Sequence, residues 1–149
     1  MPNPLVQKYS LKGKFYLWSY LPERSNYNEG IHFTCSDEGG KSLLELLQIM
    51  RPVKWPARKS FALSEPSENQ IRICGEKART YTNLEIRYQE ETPEKTFILE
   101  KQNRQVSLTL STDYLDILIA AIEDILRGNG DYSIGEVSSF WIWWNLSSN

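Results

Sequence analysis

The stretch S111-T-D-Y-L-D-I-L-I-A-A-I-E-D-I-L-R-G128 is followed by N-G-D-Y-S-I-G135 and then by F140-W-I-W-W-N-L146. At about 100° per residue, Tyr114, Leu115, Ile117, Leu118, Ile119, Ala121, Ile122, Ile125 and Leu126 cover more than half of a helical wheel. Asp113, Asp116, Glu123, Asp124 and Arg127 share the remaining arc with Ala120. A helix this apolar must lie on a broad surface, and the most economical one is a sheet. Ser111 or Thr112 offers the N-cap, Asp113 suits the positive end of the dipole, and Gly128 is placed to end the helix. In the tryptophan-rich run, period-two alternation puts Phe140, Ile142, Trp144 and Leu146 on one face and Trp141, Trp143 and Asn145 on the other.

Working outward, the 149 residues fit a single domain with one core. Seventeen basic against nineteen acidic side chains give a net charge of -2, which lacks the positive footprint of a nucleic-acid-binding protein. The opening M1-P-N-P-L-V-Q-K-Y-S-L-K-G13 has no apolar signal region, and no run approaches the ~20 apolar residues of a membrane helix. The expectation is a cytoplasmic protein with no membrane partner. Cys35 and Cys74 are far apart with no C-x-x-C spacing, so both are expected as buried thiols rather than a redox pair.

Along the chain, K14-F-Y-L-W-S-Y-L21 alternates as a strand, with Phe15, Leu17 and Leu21 opposite Tyr16, Trp18 and Tyr20. R24-S-N-Y-N-E-G30 reads as a loop and I31-H-F-T-C35 as a second strand. L43-L-E-L-L-Q-I-M50 has helical spacing, with Ser42 and Glu45 as its capping box. Strands are then expected at 60–63, 70–74, 83–89, 96–101 and 105–110, joined as an antiparallel meander with E91-T-P-E94 as the clearest hairpin turn.

Four motifs invite chemistry. G39-G-K-S42 suggests a phosphate loop, but the first glycine of that pattern falls on Cys35 and the acids D37-E38 stand where phosphate would lie. A turn and helix cap is the better reading, with a small nucleotide- or phosphate-binding enzyme as the alternative. G128-N-G-D-Y-S-I-G135 follows a helix C-terminus, where the dipole repels anions, and reads as a reversal. His32 and Cys35, three apart on one strand, point to opposite faces and cannot form a dyad there, and one histidine with two separated cysteines has no zinc spacing. R51-P-V-K-W-P-A-R-K59 is the one basic patch, read as a proline-stiffened loop after a helix.

What remains is an acidic helix face and a surplus of aromatics, the residue types that dominate protein interfaces. In size and texture the chain resembles small bacterial immunity proteins, which neutralise toxins by tight binding, and uncharacterised bacterial α+β families. That resemblance implies a non-catalytic protein-binding role and carries over no functional residue. The expected architecture is α+β, with a mostly antiparallel sheet of about six to eight strands, two helices with the longer over about 112–127 on the sheet, and the C-terminal Trp strand. No cofactor is expected. Trp18, Asp116, Glu123, Trp141 and Trp143 are the expected contacts to a protein partner, or to a second copy through a Trp-strand edge.

Overall fold

The computed structural model describes residues 4–21, 30–53, 56–66, 77–89, 97–128, 132–134 and 140–143. The helices are α1 (Pro4–Lys8), α2 (Asp37–Met50) and α3 (Thr112–Leu126). The strands are β1 (Phe15–Leu21), β2 (Ile31–Cys35), β3 (Ala57–Ala62), β4 (Lys77–Thr80), β5 (Asn83–Tyr88), β6 (Phe97–Gln102), β7 (Gln105–Leu110), β8 (Tyr132–Ile134) and β9 (Phe140–Ile142). The class is α+β. No described helix is long and apolar enough to cross a membrane.

The strands form two sheets, of order β4-β1-β2-β9-β8 and β3-β5-β7-β6. Each contains one parallel pair, β2 with β9 and β5 with β7, among antiparallel neighbours. A simple meander is thus replaced by two mixed sheets, because side-chain alternation fixes a strand's faces but not its neighbour. β4 leads almost directly into β5, carrying the chain from one sheet to the other. Around that corner Tyr81 donates its backbone N–H to Leu17 and Thr82 donates to Arg104. A further link is the isolated parallel bridge between Tyr16 and Ser64. The tight hairpin joins β6 to β7 through Asn103, whose φ of 58° suits asparagine, and Arg104. The expected turn at 91–94 and strand at 70–74 lie outside the described residues, as do the loop at 24–29, Trp55, Cys74 and the strand's end at 144–146.

The core joins the inward faces of both sheets to α2 and α3. Phe15, Leu17, Phe33, Phe140 and Ile142 meet Leu46, Leu47, Leu118 and Ile122 there. On the four-stranded sheet, β5 buries Leu84, Ile86 and Tyr88 and turns Asn83, Glu85 and Arg87 outward. α3 ends where its pattern ends, with Gly128 at φ 77° donating to the Ile125 carbonyl.

α2 begins six residues earlier than the leucine spacing alone places it. Its N-cap is Ser36, whose hydroxyl accepts from Gly39 N–H at 3.0 Å and from Lys14 N–H at 2.9 Å. Ser42 is no cap: it is buried inside the helix, where its hydroxyl donates to the Lys12 carbonyl at 2.7 Å. The two glycines open the helix because neighbouring chain comes too close for a side chain. A Cβ on Gly39 would meet the Lys14 carbonyl oxygen at 2.6 Å, and one on Gly40 the Leu126 side chain at 2.7 Å.

Candidate functional site

On the face of the five-stranded sheet turned away from the helices, cross-strand register places Trp18, His32 and Trp141 side by side on β1, β2 and β9. Their rings stack nearly parallel, with centroids 5.8 Å apart between Trp18 and His32 and 6.1 Å between His32 and Trp141. Trp143 adds a fourth ring, 5.9 Å from His32 and 6.0 Å from Trp141. Its indole N–H donates to His32 Nδ1 at 2.9 Å, which makes that nitrogen an acceptor. Its backbone N–H donates to the Phe33 carbonyl at 2.8 Å, and its own carbonyl accepts from the Thr34 hydroxyl at 2.9 Å. Trp143 is therefore held as part of the sheet.

Burial sorts these residues. Trp18 and His32 are 0% exposed, whereas Trp141 and Trp143 are partly buried. Trp18, expected at a partner surface, is enclosed in this structure and braces the row from inside. Its indole N–H is a buried donor with no protein acceptor among the described residues. Of the expected Trp-strand edge, the described part, β9, is hydrogen-bonded on one side to β2 and on the other to β8, and 144–146 lie outside the described residues.

Asp116 and Glu123 are on α3, across the sheet from Trp141 and Trp143, so the expected contacts do not form one surface. Asp116 is bound by the Arg51 guanidinium through two hydrogen bonds of 2.7 and 3.3 Å. Arg51 belongs to the basic stretch 51–59 and Asp116 to the acidic helix face, and the fold pairs them. Both side chains are about half exposed, 42% and 52%, so the pair contributes only on the order of 0–1 kcal/mol. Beside Asp116 stands Ile117, an exposed apolar side chain on the outer α3 surface with Asp113 and Ala120.

The residues with catalytic chemistry are committed elsewhere. His32 and Cys35 do point to opposite faces of β2, one into the aromatic row and one into the core. Burial, with a smaller contribution from the charge of Asp37, pushes the Cys35 thiol up to about 12. A thiol held protonated is a poor nucleophile and metal ligand. Gly39, Gly40, Lys41 and Ser42 lie in the first turns of α2 rather than in a loop, and the Gly39 and Gly40 amides donate to the Ser36 hydroxyl and carbonyl. Burial, then the charge of Glu45, raises the Tyr9 hydroxyl on the chain packed against α2.

The second open surface is the outer face of the four-stranded sheet, of which only the alternation within each strand is readable from the residues. Ser60, Glu85, Ser107 and Glu100 form one cross-strand row, and Arg58, Arg87, Thr109 and Ile98 the next. A shallow concavity of about 430 Å³ over the first row is lined by charged side chains, Glu85, Arg87, Glu100 and Lys101, together with amides and hydroxyls. No protein-family model matches the chain, and comparison with the curated proteins finds no match.

Proposed function

We propose that this chain is a non-catalytic binding protein of the immunity type, which acts by docking a protein partner. One observation carries the reading: His32, Cys35, Gly39, Gly40 and Ser42, among the groups that suggested chemistry, are buried in packing, which leaves only Lys41 of that motif exposed. The outer surface of α3 is the docking face this reading favours. Exposed Ile117 supplies an apolar centre, and Asp113, Asp116 and Glu123 supply an acidic rim. Such a face suits a basic partner and speeds its association at low salt.

The test is quantitative capture from the source cell by the wild type, by Asp116→Lys/Glu123→Lys and by Ile117→Asp. The reading requires a protein held by the wild type and lost by both variants, each checked for an unchanged fold by circular dichroism. Equal capture by all three chains refutes this docking face. Saturable stabilisation of the wild type by a nucleotide, lost in Lys41→Ala, would favour the enzyme alternative.

A further inference from the structure

We infer that the outer face of the four-stranded sheet binds an acidic segment of a protein partner through Arg58 and Arg87, with Ile98 receiving an apolar side chain of the same segment. The inference shares the idea of a binding protein with the preceding section but not its docking face. Arg58 on β3 stands directly opposite Arg87 on β5. Like charges placed opposite each other across a sheet are destabilising. Arg87 is drawn to Glu85 on its own strand, which leaves the exposed Arg58 guanidinium with no carboxylate among the described residues. The two arginines line a concavity of about 520 Å³ together with Gln7, Pro56 and Gln89.

The same row continues across Thr109, almost buried, to Ile98 at 48% exposure on the far strand. It therefore runs from guanidinium to apolar side chain with no acid in it; Glu85 and Glu100 belong to the neighbouring row. Three strand spacings of ~4.8 Å separate Arg58 from Ile98, or roughly 14 Å. An extended chain covers that distance in about four residues. The fitting ligand is thus a short segment with carboxylates at one end and a large apolar side chain about four residues away. Guanidinium accepts a carboxylate through paired hydrogen bonds. Phosphate offers similar acceptors, but no described residue of this face is an aromatic on which a base could stack.

The experiment titrates the isotopically labelled chain with the blocked hexapeptide Glu-Glu-Ser-Gly-Ser-Leu and follows its amide resonances. Shifts are expected to centre on Arg58, Arg87, Thr109 and Ile98. The Gln-Gln peptide and the Leu-to-Ser peptide should each bind at least fivefold more weakly. Arg58→Glu should abolish binding, while Asp116→Lys/Glu123→Lys should leave it unchanged and so separates this face from that of α3. Equal binding of the Glu and Gln peptides to the wild type, which needs no variant to fold, overturns the inference. It is overturned equally if inorganic phosphate or a ten-residue oligothymidylate binds this row more tightly than the peptide.

Discussion

Cys35 sits on the strand face that meets the helices, and its thiol is shifted from an ordinary value of 9.0 to about 12 by burial and by Asp37. Unfolding between those values releases a proton that the native chain retains. Its contribution to stability is therefore complete below about pH 9 and is lost as pH rises towards 12, at about 1.4 kcal/mol per unit. Urea unfolding at pH 8 and pH 10.5 should show a steeper loss for the wild type than for Cys35→Ala; parallel losses would contradict the burial argument. Across the sheet, Trp18→Ala removes a fully buried indole and should cost about 3–5 kcal/mol. Trp18→Phe keeps most of the packing and removes a buried donor that has no protein acceptor among the described residues, so its cost should be well under half of that. Thermal or urea unfolding of the two variants measures the difference. Trp143→Phe, which leaves buried His32 Nδ1 without the indole donor, should cost about 1–3 kcal/mol.

At the scale of elements, α2 depends on the close approach of residues 13–14 to its first turn. Alanine in a helix interior ordinarily stabilises by about 1 kcal/mol relative to glycine. At position 39 the added carbon meets a backbone carbonyl, which cannot swing away as a side chain can. Gly39→Ala should therefore destabilise, by about 1–3 kcal/mol, and should do so more than Gly40→Ala, where the obstacle is Leu126. Denaturant midpoints for both variants decide the order. This is also where the limits of sequence reading have a physical cause. α3 was legible over 112–127 because its periodicity, acidic first turn and terminal glycine agree. α2 was legible only from Leu43, since Gly39 and Gly40 oppose helix by propensity and are helical for a tertiary reason. The faces of β1 and β2 followed from alternation, as the separation of His32 from Cys35 illustrates. That Trp143 bonds His32, 111 residues away, did not, because pairing of β2 with β9 leaves no local mark. β8 was read within the glycine turn, being only three residues long.

At the scale of the molecule, the core binds two sheets and two long helices together and leaves two differently charged surfaces outward. The α3 surface is acidic around Ile117, and the open face of the four-stranded sheet presents Arg58 and Arg87 in one row with Ile98. The first is carried by one helix and could be anticipated from the residues, whereas the second joins four strands and could not. The aromatic row between β1, β2 and β9 has the opposite history: conspicuous in the sequence as a contact surface, it holds Trp18 and His32 wholly inside. A binding protein built this way should lose its partner when charge on α3 is reversed, without losing its fold. The most direct measurement is partner capture at low and at physiological salt by the wild type and by Asp116→Lys/Glu123→Lys. Retention by the wild type that weakens with salt, together with no retention by the variant, is the predicted result; identical, salt-insensitive retention by both chains would contradict it.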